Sequence, residues 1–392
     1  MKIAWFHSHF LHPNSGGSRF VIDYASGLKN IHKQDIQVYC DMANEEARKL
    51  FKAENIPLIE LDTNSTNSAF YWLTLTSRLK RKKKYLRENI SSDTMLISSM
   101  FPMNLLVNSL PNPSIQMCYE PFAFFYDSNF LRNFKSIYRL FFKVMRLIYS
   151  TKDYQATNQA KVLLTINETN IPKIKTVYGR TPGVVYAGID VDLYKRSDIS
   201  VVKNLRKKHH GNPLLFHSTD LTGTKGSYFL LDVIKLLKDE FPKIKLLFTI
   251  YVNDPIGTQF FMEKIKELGI DKNCEFLGCL AKDKLPDYYS SVDFVCQPSL
   301  NQPANWPLKE ALLCETPIIG GIESEEVVDF VNGVKVNIKN SAESANKIIE
   351  LIKKRDQLDT LAYWKELMSK QYSKYLFIEK LNSILLENAG ES

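Results

Sequence analysis

The stretch DFVCQPSLNQPANWPLKEALLCETPIIGG, residues 293–321, decides the fold. Its apolar runs 293–299 and 316–321 have the length and composition of buried strands, and KEALLC (309–314) between them has a helical pattern. Short apolar strands separated by helices form parallel sheets with helices on both faces. This segment therefore predicts a doubly wound α/β domain.

The same alternation extends outward over most of the chain. Further strands are predicted at 2–6, 36–40, 94–98, 114–119, 162–167, 183–188, 213–218, 245–252 and 274–278. The polar segment 189–212 reads as a linker. We therefore expect an α/β protein with two doubly wound Rossmann-like domains facing each other across a cleft, where ligands bind at the carboxyl ends of the strands. The predicted parts are 1–188, 189–370 and a closing helical segment 371–392.

Composition excludes several classes of protein. The chain has 392 residues, of which 44% are hydrophobic and 24% charged, which excludes a disordered, collagen-like or coiled-coil protein. We find no apolar run of the roughly 18–20 residues that a membrane span needs, and no signal peptide. The six cysteines include no C-x-x-C pair, which predicts free thiols in the reducing cytoplasm.

The excess of basic over acidic side chains lies in the first half of the chain. Residues 1–200 carry 26 basic and 17 acidic side chains, and residues 201–392 carry 25 and 26. Two stretches without acids stand out, 77–87 with seven Lys or Arg and the aromatic-rich 130–150 with five. Both suit an anionic membrane surface, although a solvated basic face and a core helix are alternatives. The predicted membrane residues are Arg78, Lys80, Arg81, Lys82, Lys83, Lys84, Phe141 and Phe142. No nucleic-acid-binding module accompanies them, so we expect no nucleic acid partner.

Four segments together resemble the retaining family-4 glycosyltransferases of the GT-B fold. They are HPNSGGSRFVIDYASGL (12–28), YGRTPGVVYAGIDVDLY (178–194), STDLTGTKGSYFLL (218–231) and the stretch 293–321. The resemblance implies a cytoplasmic enzyme, peripheral on the inner face of the membrane and acting in cell envelope polysaccharide synthesis. It would move a sugar from a nucleoside-diphosphate sugar to a glycan or lipid-linked acceptor, without a cofactor or metal. It also implies that the closing helix returns to the first domain.

The resemblance assigns a role to individual residues. Lys225 would stabilise the leaving diphosphate, Glu310 would hold the ribose and Gln302 would lie near the donor sugar, and these three form the predicted catalytic set. The predicted donor-binding residues are Gly16, Gly17, Lys225, Gly226, Asn305, Trp306, Leu308 and Glu310. His12, Tyr119 and Glu120 are predicted on the acceptor side.

The sequence departs from the family pattern at several of these positions. Gln302 replaces a glutamate, Asp220 lies where an arginine is common, Tyr119 replaces a histidine, and Pro303 and Pro307 remove backbone donors. These departures leave an alternative open, a catalytically degenerate GT-B protein that binds or stabilises an active transferase. His7, His9 and His12 form an H-x-H-x-x-H pattern for which we favour a cleft-lining or structural role over a metal site.

Overall fold

The computed structural model describes residues 1–62, 69–99, 101–127, 131, 136–221, 223–251, 254–299, 305–358 and 372–389. The chain divides into two compact units. The first comprises Met1–Ala187 with Tyr375–Ser392, and the second comprises Gly188–Lys374. The divisions fall after residues 187 and 374, compared with expected boundaries after residues 188 and 370.

A parallel sheet forms the centre of the first unit. Its strands are β1 (Lys2–Phe6), β2 (His9–Phe10), β3 (Asp35–Cys40), β4 (Met42–Ala43), β5 (Leu58–Glu60), β6 (Met95–Ser98), β7 (Ser114–Met117), β8 (Val162–Thr165) and β9 (Gly183–Val184). Seven of them form the order β5-β3-β1-β6-β7-β8-β9, and β2 pairs with β4. The central strand β1 is flanked on both sides, with Ile3 opposite Ile36 and Met95, which explains its continuous apolar sequence.

Helices connect these strands, and α1 shows how they pack on the sheet. They are α1 (Gly16–Asn30), α2 (Glu45–Ala53), α3 (Ala69–Leu73), α4 (Leu75–Asn89), α5 (Met103–Val107), α6 (Ala123–Tyr126), α7 (Ser136–Gln159) and α8 (Ile171–Tyr178). In α1, Phe20, Tyr24 and Leu28 recur at helical spacing and are buried.

The second unit repeats the arrangement around a six-stranded parallel sheet. Its strands are β10 (Leu214–Thr219), β11 (Lys245–Ile250), β12 (Cys274–Phe276), β13 (Phe294–Gln297), β14 (Ile318–Gly321) and β15 (Gly333–Val336), in the order β12-β11-β10-β13-β14-β15. Leu215 belongs to one apolar cluster, whereas its neighbours Leu214 and Phe216 belong to another. Both faces of the sheet are therefore covered, as in a doubly wound domain.

The helices of this unit correct one expectation. They are α9 (Ile199–His209), α10 (Ser227–Leu237), α11 (Pro255–Glu267), α12 (Leu285–Ser291), α13 (Trp306–Leu313) and α14 (Ser341–Lys353). Interpreting 189–212 as a linker was wrong, because α9 lies within it and packs on the unit. Arg206 of α9 donates to the buried Asp293 carboxylate at 2.8 Å. The segment is polar because one side of this helix faces water.

The closing helix α15 (Lys374–Ala389) packs on α1 within the first unit. A Cβ atom on Gly27 of α1 would lie 2.3 Å from Ile378 Cδ1, so a larger residue there would force the Ile378 side chain to move. Gln34 Nε2 donates to Asn382 Oδ1 at 2.8 Å, which adds a buried hydrogen bond to the contact. Among the described helices, none is both long and apolar enough to cross a membrane.

Candidate functional site

The carboxyl end of β10 in the second unit is held by a chain of buried hydrogen bonds. His217 Nδ1 donates to the Cys296 carbonyl at 2.9 Å, so Nε2 accepts from the Ser227 hydroxyl at 2.9 Å. Burial, the largest effect, lowers the pKa of His217 to about 4, which keeps the ring neutral as these bonds require. The Thr219 hydroxyl in turn donates to Ser227 at 2.5 Å. His217 is therefore a structural group that ties β10 and β13 to the start of α10.

The turn between β10 and α10 is strained where it leaves the strand and closely packed where it enters the helix. Leu221 has φ 61°, an uncommon conformation for a leucine, and its N–H donates to the Thr219 hydroxyl at 2.8 Å. Gly226 has φ 72°, and a Cβ atom there would lie 2.4 Å from the Pro298 carbonyl oxygen. Glycine at 226 therefore lets the start of α10 approach the segment that follows β13.

Lys225 lies in the 3₁₀ turn Gly223–Lys225, directly before α10. Its ammonium is 5.7 Å from the centre of the Tyr251 ring, and the Tyr251 hydroxyl donates to Asp220 Oδ2 at 2.9 Å. Burial and the neighbouring Asp220 raise the pKa of Tyr251 well above its ordinary value. Tyr251 thus contacts both the lysine predicted to bind the diphosphate and the aspartate found where an arginine is common.

Glu310 lies in the middle of α13, so a simple interaction with the helix N-terminus does not explain it. Its side chain is 1% exposed, and Oε2 accepts from the Tyr289 hydroxyl at 2.9 Å. The preceding residue, Lys309, forms a buried ion pair with Glu326 at 3.3 Å. The sequence signalled neither Tyr289 nor Glu326, because each comes from a separate segment of the unit.

Gln297, the last residue of β13, interacts with His217 through its side chain. Among the described residues, two buried oxygen atoms that follow it in the sequence lack a hydrogen-bond partner, Ser299 Oγ and Asn305 Oδ1. An unpartnered buried polar group costs about 1–3 kcal/mol, so these atoms are suited to meet polar groups of a ligand or water. Asn305 was predicted, and its Nδ2 donates to the Gln297 carbonyl at 3.2 Å. Sequence reasoning missed Gln297 and Ser299, although polar residues ending the apolar run DFVCQPS were a usable signal.

The remaining predicted donor residues differ in how far they are available to a ligand. Trp306 begins α13 and is 7% exposed. Leu308 is completely buried in the core, and its N–H donates to the Asn305 carbonyl at 3.1 Å. This corrects its assignment, because neither its side chain nor its N–H is available to a ligand. Gln302 lies outside the described residues.

In the first unit, polar groups meet at the carboxyl ends of β1, β6 and β7. A Cβ atom on Gly17 would lie 3.7 Å from His7 and 3.8 Å from Tyr119, whereas one on Gly16 would meet nothing within 4 Å. His7 Nδ1 is hydrogen-bonded to the Ser99 hydroxyl at 3.0 Å. The Tyr119 side chain is buried, and the Ser99 hydroxyl lies beside its own hydroxyl. The structure therefore brings Gly17 and Tyr119 together and adds His7 and Ser99, at the start of α1.

The histidines of this region are uncharged at neutral pH. Burial lowers the pKa of His7 to about 3 and that of His9 to about 4, and it also lowers the pKa of His12. Among the described residues, no three His, Cys, Asp or Glu side chains lie together so that they could hold a metal ion. Glu120 follows Tyr119 and is half-buried.

The predicted membrane residues separate into buried and exposed groups. Lys82 is 2% exposed, and its ammonium lies 2.6 Å from Asp41 and 3.1 Å from Asp62. Arg78 is also buried and pairs with Asp62. Assigning Lys82 and Arg78 to a membrane surface was therefore wrong, because both hold α4 against the ends of β3 and β5. Lys80, Arg81 and Lys84 are exposed, and Lys83 is half-buried.

One of the two predicted aromatic residues is corrected in the same way. Phe142 is 8% exposed and packs in an apolar cluster with Trp72, so it is not available to enter a bilayer. Phe141 is half-buried against that cluster, and its assignment stays a prediction.

The chain is similar in structure to several solved proteins over almost its whole length. It matches HepE of Anabaena, solved with UDP and glucose, with a TM-score of 0.77 and 18% identity, over 99% of this chain and 100% of that one. It matches sucrose-phosphate synthase of Thermosynechococcus elongatus with a TM-score of 0.80 and 13% identity, over 100% of both chains. It matches WaaG, a glycosyltransferase involved in lipopolysaccharide biosynthesis, with a TM-score of 0.74 and 16% identity, over 98% and 99%. The fold is GT-B.

One family model matches within the second unit of this GT-B protein. Residues 193–367 match the model of glycosyl transferases group 1, and the candidate residues Lys225 and Glu310 lie in this segment. An aligned stretch of 195 residues is 23% identical to D-inositol 3-phosphate glycosyltransferase of Kribbella flavida and covers 46% of each protein, so the chain spans about half the length of that relative.

Proposed function

We propose that this protein transfers a sugar from a nucleoside-diphosphate sugar to a glycan or a lipid-linked acceptor, with retention of configuration and without a metal ion or cofactor. One observation carries the proposal. The turn containing Lys225 and Gly226 lies at the carboxyl end of β10, directly before α10, inside the segment that matches group 1 glycosyl transferases. When the sugar leaves, negative charge grows on the diphosphate. A lysine and the N–H groups at a helix start stabilise that charge.

The donor is held by α13 and the strand before it. Glu310 accepts the ribose hydroxyls, since a carboxylate accepts hydrogen bonds from several donors at once and can bind two neighbouring hydroxyls. Asn305 Oδ1, buried and without a partner among the described residues, accepts from a donor hydroxyl nearby. Gln302 lies near the sugar and supplies a neutral hydrogen bond where a carboxylate is usual.

The first unit supplies the acceptor side. Tyr119, Glu120 and His12 orient the acceptor, and Gly16 and Gly17 let the start of α1 approach the reacting groups. His12 is neutral at pH 7, because burial lowers its pKa. No described side chain has to act as a strong base, since the leaving phosphate takes the proton of the attacking hydroxyl.

The relatives support the substrate classes of this proposal. HepE was solved with UDP-glucose, which supports a uridine-diphosphate sugar as the donor class. WaaG is involved in lipopolysaccharide biosynthesis, which supports a lipid-linked acceptor and cell envelope polysaccharide synthesis. We place the enzyme in the cytoplasm, at the inner face of the membrane, where such acceptors would be reached.

A second candidate is a binding or stabilising partner of an active transferase. Asp220 favours it, because its carboxylate lies on Tyr251 beside Lys225 and adds negative charge next to the diphosphate position. Titration calorimetry with nucleoside diphosphates distinguishes the two. A wild-type protein that binds none of them would favour the second candidate.

The test of the site is turnover with a panel of sugar nucleotides. We expect Lys225→Ala and Glu310→Ala each to lower turnover by at least about 100-fold, the usual size of one electrostatic contribution to a transition state. Lys235→Ala is the matched control, an exposed lysine on α10 that should leave turnover unchanged. Near wild-type turnover in both site variants would contradict the assignment.

A further inference from the structure

Helix α7 has two apolar faces, and the described part of the chain covers only one of them. Phe142, Met145, Tyr149 and Ala156 are buried in an apolar cluster of the first unit. On the other side of the helix, five large apolar side chains are exposed, from 43% to 82% of their surface: Ile137, Leu140, Val144, Leu147 and Ile148. Their spacing of three, four, three and one residues places them in one stripe along the helix.

Basic side chains border this apolar stripe. Arg139, Lys143 and Arg146 follow one of its edges at helical spacing, and Lys152 lies beyond the other edge. From Ser136 to Lys152 the helix has no acidic residue; the first is Asp153, which is buried and accepts from Asn104 at 2.7 Å. The cations at the surface of α7 therefore have no acidic neighbour along their own helix.

Helix α4 continues the basic border. It lies beside α7, because the Thr76 hydroxyl is 3.4 Å from that of Tyr149. Lys83 is close to Lys152 and Arg87, whose charges, together with burial as the largest effect, lower its pKa. A depression of about 300 Å³ on α4 is lined by four cations and one carboxylate: Lys80, Lys83, Lys84, Arg87 and Glu88. Its size and charge suit a phosphate-bearing headgroup.

We propose that this part of the first unit docks on an anionic lipid bilayer. The α7 surface, which comprises the stripe and its bordering Arg139, Lys143 and Arg146, lies in the interface with its apolar side chains at the acyl boundary. The basic residues contact the headgroup phosphates, and the depression on α4 holds one of them. The purpose of this surface rests on the proposed function, because a bilayer would present the lipid-linked acceptor to the enzyme.

Charge distinguishes the bilayer from other occupants of this surface. A second copy docked stripe to stripe would bring Arg139, Lys143 and Arg146 of both chains together, and like charges in contact oppose such a dimer. An anionic bilayer neutralises the cations on both sides of the stripe at once. It also accepts an apolar stripe that is flat and continuous along one helix.

Sedimentation with vesicles tests the proposal and needs neither donor nor acceptor. The full-length protein should bind vesicles of phosphatidylcholine with 40% phosphatidylglycerol (roughly the charge of an anionic leaflet) and should bind pure phosphatidylcholine much more weakly. Leu140→Asp/Leu147→Asp should lower the partition coefficient at least about tenfold. Ile256→Asp/Phe260→Asp is the matched control, since these side chains of α11 are 69% and 62% exposed and lie four residues apart.

The basic border has its own pair of variants. Lys143→Gln/Arg146→Gln should weaken binding to the anionic vesicles about 30-fold, from the usual effect of each basic residue near an anionic surface. Lys203→Gln/Lys207→Gln, on exposed positions of α9, removes the same charge elsewhere and should have a small effect. Circular dichroism should show that all four variants remain folded.

Two results would overturn the proposal. One is vesicle binding by the Leu140→Asp/Leu147→Asp variant equal to that of its control. The other is a concentration-dependent dimer in sedimentation velocity that only this variant abolishes, which would make a second copy the occupant. The donor site is tested separately. A wild-type protein that binds nucleoside diphosphates but not anionic vesicles would contradict the membrane surface and still agree with the proposed donor site.

Discussion

Gly226→Ala adds one carbon atom at a closely packed point of the candidate site. The new Cβ would lie 2.4 Å from the Pro298 carbonyl oxygen and 2.9 Å from Pro298 Cγ, so the turn or the segment after β13 must shift. An L-residue in the left-handed region costs about 1–2 kcal/mol, and overpacking adds about 1–3 kcal/mol. We expect the variant to lose about 2–5 kcal/mol of unfolding free energy.

Thermal unfolding of the full chain measures this loss, together with titration calorimetry. For a unit of this size each kcal/mol shifts the melting temperature by about 2–4 °C, so the transition of the second unit should fall by about 5–15 °C. Because the shift moves Lys225, affinity for nucleoside diphosphates should also fall, by about tenfold for each 1.4 kcal/mol of lost contact.

Gly223→Ala is the matched control three residues earlier in the same turn. A Cβ atom at 223 would meet nothing within 4 Å, and Gly223 is not in the left-handed region. Its melting temperature and affinity should stay near those of the wild type. If Gly226→Ala and Gly223→Ala had the same melting temperature and the same affinity, the close packing of this turn would have no energetic importance and the reasoning would be refuted.

Two further predictions concern buried charge. Lys82→Met should destabilise the first unit by about 3–5 kcal/mol in urea denaturation, because Asp41 and Asp62 lose their buried partner. The control is Lys84→Met, at an exposed position of the same helix, which should stay within about 0.5 kcal/mol of the wild type. Equal losses of stability in the two variants would contradict the ion-pair role of Lys82. His217 has a pKa lowered from 6.5 to about 4, so its contribution is complete above pH 6.5 and is lost as the pH falls towards 4. That contribution to the unfolding free energy is about 3 kcal/mol. Between pH 6.5 and 4, the unfolding free energy of a His217→Gln variant should therefore fall less steeply with pH than that of the wild type. The same slope in both proteins would show that the fold does not keep His217 neutral.

Much of the fold could be predicted because central parallel strands are buried on both faces. Runs such as KIAWF are continuously apolar, and β1 was located to the residue. The edge strands β5 and β15 and the paired strands β2 and β4 were missed, whereas the edge strands β9 and β12 were predicted. Of the missed strands, β2 and β4 have two residues each and β5 has three, which is too short to show a strand pattern.

In the candidate site, too, some residues could be suggested from the sequence and others could not. Lys225, Gly226 and Glu310 could be proposed because short segments of the sequence resemble a known family, and a turn with the helix that follows it is a local feature. Their partners could not be chosen. Tyr251, Pro298 and Tyr289 come from other strands and helices, and only the packing of the sheet brings them within contact distance.

The sequence by itself determined the alternation of strands and helices, the turn before α10 and the excess of basic over acidic residues in the first half, since each of these depends on neighbours along the chain. Only the tertiary structure decided which members of the basic stretches face outward. Lys82 finds Asp41 a distance of 41 residues away, and Phe142 is buried whereas Leu147, five residues later, is 82% exposed. Burial depends on which segments pack against a helix, and those segments are distant in sequence.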